Sequence, residues 1–149
     1  MSKNPLIINA NISFDDRGEI LHCNSFDFQK YKIKRFYEIK NHNINFIRAW
    51  HGHKLEKKYI LILQGSLKIC LIKIDNWKNP SKKKRIFNYF LNEKKPQVLY
   101  VPGGYAHGTQ NLTKDTRFMV FSTFSVKESI KDDYRFDHNY WNNWKTNYR

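Results

Sequence analysis

No apolar run in this sequence is long. The longest, such as Tyr59 to Leu63, stay far short of the ~20 residues that a bilayer span requires, so membrane insertion is not expected. The opening residues, Met1 to Asn4, form no apolar signal region, and a cytoplasmic location is the expectation. Cysteine is scarce. Cys23 and Cys70 lack metal-ligand spacing and read as two free thiols in a reducing compartment. Acidic residues are outnumbered, 13 against 27 Lys and Arg, which leaves a net charge of +14. That balance suits a polyanionic partner. The lysines are scattered, however, and the one dense run, Lys82 to Arg85, follows a turn-like Asn79-Pro80 and reads as a solvated loop tip. A phosphorylated small molecule therefore fits better than nucleic acid. Repeats, heptads and low-complexity linkers are absent as well.

What is present is apolar and aromatic residues in short segments, 40% and 16% of the chain. The length of 149 residues fits a single domain, residues 1–149, with its core over about 6–125 and a tail, 126–149, packed on the core or at a subunit interface. Strands are expected at about Leu6 to Ile12, Ile20 to Asn24, Arg35 to Ile39, Phe46 to Gly52, Lys58 to Gln64, Ser66 to Ile74, Arg85 to Leu91, Gln97 to Val101, Ala106 to Asn111 and Arg117 to Ser125. "DDRGE", "QGS" and "PGGY" supply reversals between them. Many short strands with hardly a helical period point to an all-β sandwich or barrel. The aromatic ending "YWNNWKTNYR" shows neither period.

Two stretches concentrate chemistry. "HGHKLEKKYILILQGS" begins at His51, and alternate strand residues share a face, so His51 and His53 can aim at one point. "PGGYAHGTQN", Pro102 to Asn111, reads Pro-x-Gly-x-x-His-x-x-x-Asn. Together these resemble the two signature motifs of the cupin superfamily, which implies a jelly-roll fold. In the first motif the glutamate position falls on Lys58. An ammonium beside a cation is unfavourable, by roughly 4 kcal/mol per pair of unit charges about 4 Å apart at intermediate dielectric. A metal-free site with no cofactor is the expectation; Glu56 is the nearby carboxylate that could substitute as a ligand.

The resemblance narrows further. "DDRGEI", "NHNINFIRAWHGHK", "VPGGYAHG" and "DDYRF" occur in the order found in cupins related to dTDP-4-dehydrorhamnose 3,5-epimerase, and "RAWHGHK" is also similar to a stretch of nucleotide-sugar 3,4-ketoisomerases. The resemblance implies an isomerase that acts on a nucleotide-linked 4-keto sugar through an enolate, as a homodimer, in polysaccharide or lipopolysaccharide precursor synthesis. Epimerisation at C3 or C5 is the first expectation and a 3,4-ketone shift the second. A non-catalytic sugar-nucleotide-binding cupin is the reading from another class.

By the same resemblance His51 is the base, paired with Asp132 or Asp133, and Lys58 stabilises the enolate oxygen. His53 is the candidate for a second proton-transfer group. Asn41 and Arg48 meet the diphosphate. Arg17 reaches the nucleotide, in some relatives from the neighbouring subunit. Tyr105 and His107 line the pocket. The 3,5-epimerases carry an acidic tyrosine where this chain has Phe124 or Ser125, and Tyr105, Tyr59 or Tyr100 would have to replace it. Inversion of one centre, or a carbonyl shift, is therefore expected in place of double inversion. Ile20 and His22 also depart from the residues usual after "RG", which implies altered base recognition.

Overall fold

The computed structural model describes residues 2–141 and 144. The strands in chain order are β1 (Leu6–Asn9), β2 (Asn11–Asp15), β3 (Gly18–His22), β4 (Arg35–Lys40), β5 (Ile47–His53), β6 (Lys58–Gln64), β7 (Ser66–Lys73), β8 (Phe87–Asn92), β9 (Gln97–Val101), β10 (Tyr105–Asn111), β11 (Arg117–Ser122) and β12 (Tyr134–Arg135). One short helix, α1 (Val126–Lys131), lies between the last two. Two five-stranded antiparallel sheets, β1-β9-β6-β11-β4 and β12-β5-β10-β7-β8, face each other, and β2-β3 forms a separate hairpin. This is the jelly-roll sandwich of cupin type.

Alternation explains the packing. β11 reads Arg-Phe-Met-Val-Phe-Ser, and its even-numbered positions are buried while its odd-numbered ones are half-buried. Phe118 and Val120 meet Ile60, Ile62, Leu67, Ile69, Leu71 and Leu99 between the sheets. The "QGS" reversal depends on Gly65, whose φ is +75° and where an added Cβ would lie 2.3 Å from Thr113 Oγ1.

Three segments differ from the sequence expectation. The first strand is split at Ala10: β1 pairs with β9, whereas β2 turns away to pair with β3. The strand beginning at Arg117 ends at Ser122, because Ser125 instead caps α1. Its hydroxyl and the Glu128 carboxylate satisfy each other's backbone N–H in a capping box. The tail from residue 126, for which no helix or strand was expected, supplies both α1 and β12. Trp144 is buried against Trp50, with ring centroids 5.1 Å apart, so this part of the tail covers the outside of the β5-containing sheet. Residues 142–143 and 145–149, including the terminal "YR", lie outside the described residues.

Candidate active site

A cleft of about 510 Å³ opens between the sheets, within the range of small-molecule sites. Ile60, Phe118 and Val120 from the core form part of its lining. One wall carries His51 and His53 from β5 and His107 from β10; the other carries Lys58 from β6 and Arg35 and Tyr37 from β4.

Register puts the first wall together. His107 pairs with His51, and Tyr105 with His53. The His107 ring centroid lies 5.8 Å from that of His51 and 5.9 Å from that of His53. Beyond His107 the register slips: Thr109 faces Arg48, so two residues of β5, Ala49 and Trp50, stand opposite Gly108 alone. An extra residue reverses the alternation. Arg48 and His51 are three apart and would otherwise face opposite ways, yet both line the cleft.

The imidazoles are held neutral. Burial, followed by the Arg135 charge, pushes His51 down to about 4. Burial and the Lys58 charge lower His107 well below its ordinary value. His53 is lowered chiefly by burial and Lys58, with Glu56 opposing. Hydrogen bonds fix the tautomers. Arg135 donates to His51 Nε2 over 3.1 Å, so the ring proton of His51 sits on Nδ1. His53 Nδ1 donates to the Asp132 carbonyl over 2.8 Å, which leaves Nε2 as the bare nitrogen; it is buried and has no partner among the described residues.

Lys58 lies 3.4 Å from the Tyr37 hydroxyl and 3.9 Å from Glu56 Oε1. Burial lowers the lysine, Glu56 opposing, and burial raises the Tyr37 phenol to about 12, with Glu56 adding to the rise. An ammonium and a tightly held phenolic proton therefore approach one point, a donor pair suited to an oxygen that becomes negative.

The sequence-expected residues divide into two groups. His51, His53, Lys58, His107, Arg48 and Asp133 converge on the cleft. Asp132 does not pair with His51: its carboxylate accepts the backbone N–H groups of Lys54, Leu55 and Glu56 at 2.8 to 2.9 Å, fixing the β5–β6 turn. Asn41 lies behind Arg48, accepting from its Nε at 2.7 Å, and does not line the cleft. Tyr105 points into the core, with its hydroxyl 3.5 Å from Asn4 Oδ1. Arg17 is exposed in the β2–β3 turn and paired with Asp15. Of the proposed substitutes for the missing tyrosine, Tyr59 and Tyr100 pack together in a different apolar cluster. Tyr37 is the tyrosine that lines the cleft among the described residues, and Arg35 and Arg135 line it too. Arg35 and Tyr37 were missed because they belong to no motif, although the alternation of β4 already placed them on one face; Arg135 lies within "DDYRF", where only the aspartates were given a role.

A metal does not fit this donor set. Lys58 occupies the place of the carboxylate ligand, and Glu56 has both oxygens engaged by Ser122 and Ser129 at 2.6 and 2.7 Å. Among the described residues, no group of three or more His, Cys, Asp or Glu side chains is arranged to hold a metal ion. Nor is any helix among them long and apolar enough to cross a membrane.

The fold is that of a cupin, and the cleft between its sheets is the candidate site. Residues 3–145 match the family model described as "FdtA: WxcM-like, C-terminal", and the chain belongs to that family. Among solved structures it is similar to the TDP-quinovose 3,4-ketoisomerase WlaRB from Campylobacter jejuni, at 23% identity over 91% of this chain and 95% of that one, with a TM-score of 0.66. A mutant of the 3,4-ketoisomerase QdtA from Thermoanaerobacterium thermosaccharolyticum, in complex with TDP-4-keto-6-deoxyglucose, matches at 23% identity over 91% and 90%, with a TM-score of 0.68. The dTDP-4-dehydrorhamnose 3,5-epimerase from Sulfolobus tokodaii matches at 18% identity over 95% and 82%, with a TM-score of 0.75. Among curated proteins, none matches the chain.

Proposed function

We propose that this protein isomerises a nucleotide-linked 4-keto-6-deoxy sugar, moving the carbonyl from C4 to C3 through an enediolate. The observation that carries this reading is the division of labour across the cleft: neutral imidazoles on one sheet face the Lys58–Tyr37 donor pair on the other. A 4-keto group acidifies the neighbouring C–H, and a neutral imidazole is a competent base for it. Substrate draws Arg135 off His51 Nε2, which then takes the C3 proton; the electron pair of the C–H bond moves into the enolate, whose oxygen is met by Lys58 and Tyr37. Proton exchange between the two sugar oxygens through Tyr37, and delivery to C4 of a proton that His53 Nε2 has taken up from water while His51 gives its own up to water, complete the shift. Arg48, steadied by Asn41, and the other cleft arginines suit the diphosphate, since a guanidinium fork matches phosphate oxygens. The nucleotide–sugar ligand of the QdtA structure supplies the substrate class.

A second reading, epimerisation at one carbon, is favoured by Tyr37, which faces the histidines from the opposite sheet and could protonate the other side of the sugar. The working unit is a homodimer in this proposal: among the described residues the β2–β3 hairpin pairs with no further strand and exposes Phe14 and Ile20, and its Arg17 would reach a nucleotide in the partner. The test of the reaction is incubation with dTDP-4-keto-6-deoxyglucose in deuterium oxide, followed by NMR. A 3-keto product labelled at C4 supports the shift. Label at C3 or C5 with the 4-keto group retained supports epimerisation, and no exchange with tight binding supports a binding protein. Light scattering at two concentrations tests the dimer.

A further inference from the structure

Glu56 is the most enclosed ionisable side chain near the cleft, at 1% exposure, and no step above uses it. It sits in the turn between β5 and β6, whose backbone is pinned by Asp132. Each contact to its carboxylate comes from a different element. Ser122 of β11 donates to Oε1 at 2.6 Å, and Ser129 of α1 donates to Oε2 at 2.7 Å. Arg35 of β4 lies 3.5 Å from Oε1, and Lys58 of β6 lies 3.9 Å from it. His53 Nδ1 of β5 is 3.0 Å from Oε2. A carboxylate is kept from water only where compensating charge and hydrogen bonds hold it.

The arrangement matters for His53. The Asp132 carbonyl can only accept, so Nδ1 keeps its proton whether or not Glu56 is present. Nε2, without a partner among the described residues, is then the atom that must take up the proton His53 delivers to C4. The groups around the ring oppose that: Lys58 from β6, His107 from β10 and His51 on its own strand, with only Glu56 and Asp132 on the other side. We propose that Glu56 is a positioning residue that compensates the charge His53 acquires when it carries the proton bound for C4, and that it keeps Lys58 an ammonium at the same time. The step balances with water. The C3–H bond breaks, its electron pair enters the enolate and its proton goes to His51, which gives it up to water; the enediolate's electron pair then forms the C4–H bond with the proton that His53 Nε2 has taken up from water. The imidazolium so formed has its positive Nδ1–H edge 3.0 Å from the Glu56 carboxylate. This inference rests on the isomerase reading for the proton's destination, not for the pairing itself.

The test separates the two. In the free protein, side-chain 15N NMR follows His53 protonation in wild type, Glu56→Gln and Ser129→Ala. Loss of the nearby anion should lower the pH at which His53 protonates by about one unit or more. Ser129→Ala strips one donor from Oε2, makes that oxygen more basic, and should move His53 the opposite way. Simple loosening of the turn would move both variants alike. With dTDP-4-keto-6-deoxyglucose in deuterium oxide, Glu56→Gln should slow label incorporation on the order of 100-fold while KM stays within about threefold, and Glu56→Asp should recover part of the rate. Unchanged His53 protonation in Glu56→Gln, or shifts of the same sign in both variants, overturns the proposal. If the His53 shifts appear but wild type labels no 4-keto sugar, the isomerase reading falls and the Glu56 pairing stands.

Discussion

Strands β5 and β10 show two different surfaces on the same backbone. Toward the cleft they present Arg48, His51, His53, His107 and Thr109, of which His51 is held down to about 4 by burial and the Arg135 charge. Toward the tail they present Trp50, Gly52, Ala106 and Gly108. Trp50 is fully buried there, packed on Trp141 and Trp144. Gly108 could not carry a side chain, because an added Cβ would meet Trp144 and Ala49 at 2.7 Å. One face stores polar groups in a costly, half-dry environment. The other supplies the aromatic packing that keeps those strands in register.

Four experiments would sharpen or break that contrast. On the cleft face, His51→Asn should slow deuterium incorporation by about 10²–10⁴, with dTDP affinity by calorimetry changed only a few-fold. On the tail face, Trp50→Ala should cost about 3–5 kcal/mol of stability in urea titration, while exchange per folded molecule stays near wild type. A loss of turnover in Trp50→Ala as large as that in His51→Asn, with the fold intact, would show that the faces do not act separately. Asp132→Asn lies between the two: it weakens charge-assisted bonds to the β5–β6 turn, and a stability loss of about 1.5–3 kcal/mol is expected.

The smallest effect is on pH dependence. An unfolded histidine protonates near its ordinary value of 6.5, but folded His51 does so only at about 4. Between those values the unfolded chain binds more protons, so acidification favours unfolding and stability falls as pH drops from about 6.5 toward 4. His53 and His107, which are also lowered, add with the same sign. The melting temperature should decline over this window, and His51→Asn should flatten the decline; an equal slope in the variant would mean that His51 is not held neutral.

Much of the fold was readable from the sequence because it is written in local terms. Alternation at "RFMVFS", the "QGS" reversal and the spacing of "PGGYAHG" each follow from neighbouring residues alone. The Ala10 break and α1 were not read. At Ala10 the chain changes partner from β9 to β3, and partner choice is a long-range matter. At Ser125 the capping box was present as Ser-x-x-Glu, but it competed with an apolar run that continued the strand pattern. The site was legible where motif residues carried it, in His51, His53, Lys58 and His107. It was not legible where direction decides: Tyr105 turns into the core, and of the two candidate aspartates Asp133 lines the cleft while Asp132 holds the β5–β6 turn.

By itself, then, the sequence determined the all-β class, the reversals and the pairing of histidines two apart, because strand periodicity is a property of each segment. Tertiary structure alone decided that Tyr37 and not Tyr105 stands in the cleft, that Arg48 joins His51 through one extra residue in β5, and that Glu56 faces His53. Each of these depends on how two sheets and a tail helix meet, and that is fixed by the packing of residues far apart in the chain.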